Sequence, residues 1–163
     1  MEISLRSCDL GLLELGVENP AALEERLGAC IASGWADFAS AMRVSRDKLQ
    51  ANLEFLGWWT HLVLVGAPPM VVGVCGYTGP PTADGVVEIA YGVAPSWQGK
   101  GLATLAAAEL TRRAFHDERV RLVCAHTLPE HKASTRILQK VGMRFVGYAN
   151  DSALKDADCR ELT

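Results

Sequence analysis

The order of patterned segments after Trp59 constrains the fold more than any other feature of this chain. Three β-branched and aromatic runs, "WTHLVLVG", "MVVGVCGYTG" and "VVEIAYGVAP", follow one another with only the turn clusters "APP" and "GPPTADG" between them. Runs of this kind bounded by Pro, Gly and Asp read as strands, and three in series predict a meander. The period then changes. A helix is expected from about Trp97 to His116, where Leu102, Ala106, Leu110 and Ala114 form an i, i+4 stripe. Arg112, Arg113 and His116 fall near the negative end of its dipole. "RLVCAHTL" reads as a buried-type strand ended by Pro129, and "HKASTRILQKVG" as a second helix stopped by Gly142. "MRFVGYA" and a short terminal piece near "CRELT" complete the sheet. Strands in series followed by strand, helix, strand, helix, strand predict the α/β (α+β) class, a mixed sheet covered by helices.

The first third carries weaker signals. "ISLRS" and "LGLLELG" read as strands, and "NPAALEERLGACIASG" as a helix opened by Asn19 with Pro20 at its first position. "SRDKLQANLEFLGWW" reads as a second helix with Leu49, Leu53 and Leu56 on one face. Ser45 is its expected N-cap, although Lys48 stands where a capping box would have Glu. No repeat or low-complexity linker divides the 163 residues, so a single domain over 1–163 is expected.

Composition excludes several classes of partner. No apolar run approaches the roughly 20 residues of a membrane span. The start "MEISLRSCDL" lacks a basic segment followed by an apolar core, so no signal peptide is expected. Cys8, Cys30, Cys75, Cys124 and Cys159 are scattered, odd in number and form no CxxC, which suits reduced thiols in a cytoplasm. A net charge of −3 gives no general attraction to nucleic acid. The expectation is a cytoplasmic monomer or homodimer with neither nucleic-acid nor membrane partner. No metal site is expected either, because His126 and His131 lie five apart with no further ligand nearby.

One loop points to chemistry. "APSWQGKGLAT" sets Gly99 and Gly101 between a strand and a helix. A phosphate loop of the G-x-x-x-x-G-K-[ST] kind is excluded, because Ala94 stands at its first position and Gly101 replaces the hydroxyl residue after Lys100. A dinucleotide G-x-G-x-x-G fingerprint fails at Thr104 and falls late in the chain, after a meander. Gln98-Gly99-Lys100-Gly101-Leu102-Ala103 does match [QR]-x-x-G-x-[GA], and in this it resembles the pyrophosphate loop of the GNAT superfamily of acyl-CoA N-acyltransferases. There a strand end feeds a helix N-terminus, whose unpaired N–H groups and dipole receive phosphates. "VEIAYGVAPSWQGKGLAT" and "HKASTRILQKVGMRFVG" resemble the Rim-type branch, which includes N-terminal acetyltransferases of ribosomal proteins. The resemblance spans about Val86 to Gly147. Two departures stand out: His131 replaces the usual asparagine, and Leu138 stands where many GNAT enzymes carry a tyrosine acid.

The resemblance implies a GNAT-type fold, a mixed, mostly antiparallel sheet with splayed strands 4 and 5. Acetyl-CoA or coenzyme A is the implied cofactor, its pantetheine arm pairing with the strand edge near Val93. Gln98, Gly99, Lys100, Gly101, Leu102, Ala103 and Thr104 would then form the phosphate cradle, with His131 and Arg136 nearby. Lys100 and Arg136 fit either phosphate contact or a solvated surface. His131 could cap its helix, replace the asparagine or assist a base.

A protonated amine cannot attack a thioester, so a proton acceptor is needed. Glu88 interrupts an apolar strand, and the resemblance places it where several GNAT enzymes keep a catalytic glutamate; it could equally be an exposed strand residue. A backbone N–H near Val93 would hold the oxyanion. Ser134 could protonate the leaving sulfur, although a first-turn helix hydroxyl is the preferred reading. Trp58 and Trp59 could floor an acceptor pocket or pack in the core. The implied function is acetyl-CoA-dependent N-acetylation of a primary amine, on a protein N-terminus or a small molecule, by direct attack in a ternary complex. A non-catalytic acyl-CoA-binding module is the alternative.

Overall fold

The computed structural model describes residues 1–149 and 157–163. Its strands are β1 (Ile3–Ser7), β2 (Cys30–Ile31), β3 (Thr60–Val65), β4 (Met70–Tyr77), β5 (Val86–Val93), β6 (Leu122–Thr127), β7 (Arg144–Ala149) and β8 (Ala157–Leu162). The helices are α1 (Leu10–Glu18), α2 (Pro20–Leu27), α3 (Ala36–Ala51), α4 (Leu102–Ala114) and α5 (Lys132–Val141). All strands join one sheet in the order β1-β3-β4-β5-β6-β8-β7, with β2 paired to the start of β4. The pairs β5–β6 and β2–β4 are parallel, and the remaining pairs are antiparallel. The expected mixed, mostly antiparallel sheet is therefore present, and its terminal strand slots between β6 and β7.

Alternation along the strands sorts side chains onto two faces. Val63, Val72, Val87, Ile89 and Val123 pack with Ala106, Ala107 and Leu110 of α4 and Leu138 of α5. On the opposite face Leu62, Val71 and Val74 pack with Leu12 and Leu13 of α1, Leu23 of α2, and Met42 and Leu49 of α3. Trp58 joins the first cluster and lies 5.0 Å from the Tyr77 ring, whereas Trp59 packs on the second. The adjacent tryptophans thus split between two cores rather than forming one floor.

The first third departs from expectation in four places. "LGLLELG" is helical, not a strand: Asp9 accepts from the Leu12 amide at 2.9 Å, and this cap starts α1. The helix opened by Asn19 and Pro20 forms, but it stops at Gly28 (φ +60°) instead of continuing to Gly34, and Cys30–Ile31 then pair with β4. The third helix begins at Ala36, nine residues before the expected cap. Ser45 lies buried in its middle, with Oγ 2.7 Å from Thr60 Oγ1. That helix ends at Ala51. Asn52 leaves helical geometry and its side chain accepts from the Glu54 amide, so Leu53 and Leu56 lie beyond the helix and stay largely exposed, lining a surface depression with Leu49 rather than joining the core. The fourth helix also starts later than expected, because Trp97 belongs to a separate short turn at Pro95–Trp97.

The buried Ser45–Thr60 contact ties α3 to β3. Ser45→Ala should cost about 1–3 kcal/mol, because Thr60 keeps a buried hydroxyl without that partner. Urea unfolding measures it, and an unchanged midpoint would mean that Thr60 finds another acceptor.

Candidate active site

Strand β5 carries the site because it loses its neighbour. It pairs with β6 through Val86, Val87 and Glu88 only, opposite Leu122, Val123 and Cys124. Beyond Glu88 the two strands part. The hydrogen bonds Thr78 N to Glu88 O (3.0 Å) and Ala94 N to Val72 O (2.8 Å) show that even-numbered residues of β5 bond to β4. Antiparallel parity then turns the N–H groups of Ile89, Tyr91 and Val93 toward the opening. The two parting strands form a V with one unpaired edge.

The V runs into the glycine loop. Pro95–Trp97 make a short turn, and the Gln98 side-chain amide donates to Val93 O at 3.0 Å, fastening the loop to the end of β5. Gly99 (φ +74°) and Gly101 (φ +81°) adopt the left-handed conformation that favours glycine. A Cβ at either position would meet no atom within 4 Å, so both backbones border open space. Gly101 occupies the N-cap of α4 without a side-chain cap, which leaves the first amides of that helix available to an anion.

A cleft of about 660 Å³ joins these elements. Tyr91, Gly92 and Val93 line it from β5; Gln98, Gly99, Gly101, Leu102, Ala103 and Thr104 from the loop and α4; Ser134 and Arg136 from α5. Its volume falls within the range of cofactor and ligand sites. Most of the sequence-derived binding set is therefore gathered in one place. Three residues are not on its wall. Lys100 turns back over Trp97, with Nζ 5.8 Å from the ring centroid. His131 is exposed at the start of α5 and makes no side-chain cap. Glu88 sits at the vertex of the V, its side chain directed to the face opposite Val87 and Ile89.

Side chains that the sequence did not single out complete the surroundings. The Tyr91 hydroxyl spans the cleft and donates to Ser134 O at 3.5 Å, and burial pushes its pKa up to about 12, so it stays a proton-bearing phenol at neutral pH. Asp37 and Phe38, from the first turns of α3, close the cleft on the other side, and Phe38 covers the space above Gly92. Glu88 has two partners: His126 Nδ1 lies 2.8 Å from Oε1, and Thr78 Oγ1 donates to Oε2 at 3.3 Å. Alternation offered a signal for His126, since Cys124 and His126 share a face of β6, but only strand register could reveal it. No cluster of three or more potential metal ligands occurs among the described residues.

Ser134 lines the cleft beside Tyr91, whose phenol meets its side chain as well as its carbonyl. Ser134→Ala should cost stability of about 1 kcal/mol or less. Turnover should fall by less than about tenfold, because a thiolate with pKa near ~8.5 departs with little help. A loss of a hundredfold would make Ser134 indispensable to the leaving group.

Comparison with known proteins agrees with this architecture. The acetyltransferase (GNAT) domain model matches residues 25–144. The uncharacterized N-acetyltransferase YjdG of Bacillus subtilis (strain 168) is 25% identical over 142 residues, covering 86% of this chain and 84% of that protein. Among solved structures, the ribosomal L7/L12 alpha-N-protein acetyltransferase RimL in complex with coenzyme A superposes with a TM-score of 0.67 at 16% identity, covering 98% of this chain and 93% of RimL. The aminoglycoside acetyltransferase AAC(6')-Ib in complex with coenzyme A gives 0.68 at 20% identity, covering 99% and 95%. With a family match over most of its length and the split sheet to support it, this chain belongs to the GNAT acetyltransferase family.

Proposed function

We propose that this protein transfers an acetyl group from acetyl-CoA to a primary amine by direct attack within a ternary complex, as one domain over 1–163. The observation that carries the reading is the continuous path from the unpaired edge at Val93 to the open, left-handed glycines at the N-terminus of α4. These residues fit the cofactor. The amides from Gly99 to Thr104 would hold the pyrophosphate, helped by the helix dipole. Arg136 would meet a further phosphate, and Lys140 also lines the cleft one helical turn on. The Tyr91 and Val93 edge would pair with the amides of the pantetheine arm as an added strand. When bound, acetyl-CoA supplies an activated acetyl thioester at the centre of the V.

The chain's own residues do the rest. The Val93 N–H, turned into the opening, is a donor for the carbonyl oxygen. Glu88, at the vertex, anchors the proton acceptor, directly or through another group. Ser134 faces the cleft as an optional proton donor. His131, outside the wall, is assigned no contact. The acceptor enters past Asp37 and Phe38, and the carboxylate at that mouth favours a cationic amine. A protein N-terminus and a small-molecule amine both meet that description. Cys8, Cys30 and Cys75 form no disulfide, in keeping with a cytoplasmic monomer or homodimer.

Titration calorimetry with CoA, followed by thiol release from acetyl-CoA across a panel of amines and N-terminal peptides, tests the reading. Micromolar CoA binding with steady amine-dependent release is expected. Binding without release from any amine would favour an acyl-CoA-binding module, and absence of binding would remove the cofactor assignment altogether.

A further inference from the structure

At the vertex of the V, on the sheet face away from α4, three polar side chains from three strand segments converge. Parallel pairing of β5 with β6 ends at Glu88 opposite Cys124, and His126 lies two residues further, on the same face. Both Glu88 oxygens are engaged, Oε1 by His126 Nδ1 at 2.8 Å and Oε2 by the Thr78 hydroxyl at 3.3 Å. An ionised carboxylate can only accept hydrogen bonds, so the ring nitrogen facing it must carry the proton. A neutral imidazole held in that tautomer presents Nε2 as a lone-pair acceptor. Nε2 has no hydrogen-bond partner among the described residues, and the His126 side chain remains 22% exposed.

We propose that His126 Nε2 takes the proton from the acceptor amine, with Glu88 as a positioning residue that holds the ring and Thr78 in turn holding Glu88. The proposal rests on the acetyltransferase reading and deepens it. In the step, the N–H bond of the ammonium breaks and its electron pair stays on nitrogen, which becomes the nucleophile. The proton bonds to Nε2, and the resulting imidazolium keeps its Nδ1–H on the Glu88 carboxylate, which balances the new charge. An imidazole suits this exchange at neutral pH better than a carboxylate does, since the ordinary values for the two groups are about 6.5 and about 4.3. The position suits it as well: His126 is on the first stretch of β6 that β5 no longer covers. The other titratable groups that the register places on this face include Cys124, which is buried, Glu161 opposite Cys124 on β8, Arg144 opposite Glu161 on β7, and Arg6 on the distant β1; Cys159 is the register partner of His126.

Two measurements test the assignment. In the ligand-free protein, ¹⁵N-detected NMR of the His126 ring at neutral pH should report a protonated Nδ1 and a bare Nε2; the opposite tautomer overturns the proposal. With a good acceptor, His126→Gln should lower kcat by about 10²–10⁴-fold with CoA affinity and Tm unchanged. It should also abolish the acid limb of the wild-type kcat/KM profile, where protonation of the ring removes the acceptor. A variant within a few-fold of wild type that retains this limb overturns the proposal and returns the proton to Glu88. The NMR arm uses the unaltered protein, so it decides the matter even if His126→Gln does not fold. Failure of the wild-type protein to bind CoA would overturn the acetyltransferase reading and this proposal with it. CoA binding combined with the wrong tautomer, or with an indifferent His126→Gln, overturns the proposal alone.

Discussion

Glu88→Gln is expected to lower turnover on a good acceptor by about 10²–10⁴-fold while CoA affinity stays at the wild-type level. The change keeps the size of the side chain but removes its negative charge, and the new amide can donate to His126 Nδ1 instead of accepting from it. Whether the carboxylate takes the proton itself or holds the ring that does, the acceptor is lost. Glu88 lies at the vertex, off the wall of the cleft proposed for the cofactor, which is why binding should survive. Activity should partly return as pH rises, because a larger share of the amine is then already neutral. Steady-state rates between pH 6 and about 9.5, with calorimetric CoA titrations alongside, measure both effects; the upper limit approaches the ~10.4 of an ordinary alkylamine. Full turnover of the variant across neutral pH would make Glu88 an ordinary strand residue.

Gly101→Val should weaken CoA binding at least tenfold, about 1.4 kcal/mol. Two costs combine. The N-cap φ of +81° is unfavourable for any β-branched residue, and the new side chain would project into the open space where the phosphates are proposed to approach the backbone. The backbone strain alone would cost stability of about 1–2 kcal/mol, so binding and stability must be separated. Gly57 offers the control. It has φ +91° and open space around a built Cβ, yet it lies outside the cleft. Gly57→Val should therefore lower the melting temperature similarly and leave CoA affinity unchanged. If a folded Gly101→Val variant binds CoA as tightly as wild type, the loop does not hold the phosphates.

The site was legible wherever its chemistry is local in the chain. Gln98 to Thr104 carry their meaning in spacing alone: left-handed glycines, then a helix start, within seven residues. Their gathering around one cleft follows from a strand that must end where its helix begins. The Glu88–His126 pair was not legible in the same way, because 38 residues separate its members and only the register of β5 on β6 brings them together. Asp37 and Phe38 were missed for a different reason. Their helix was expected to start at Ser45, so both fell in an unassigned stretch. Ser45 has the chemistry of a cap, but a hydroxyl satisfied by Thr60 within the core serves a helix interior equally well.

What the sequence determined by itself is the sheet-forming half of the molecule. From Thr60 to Val141 the β-branched runs, the i, i+4 stripe of α4 and the glycine stops each specify their own element, because period and turn chemistry act over a few residues. The first sixty residues were decided by tertiary structure. "LGLLELG" satisfies both a short apolar strand and a capped helix, and burial of Leu12 and Leu13 against β3 and β4 selects the helix. Tertiary structure also decided where β5 and β6 part. Pairing stops after Glu88 although both strands continue, and that divergence belongs to neither segment. Local propensity can specify a strand, but a gap between two strands exists only once both have been packed.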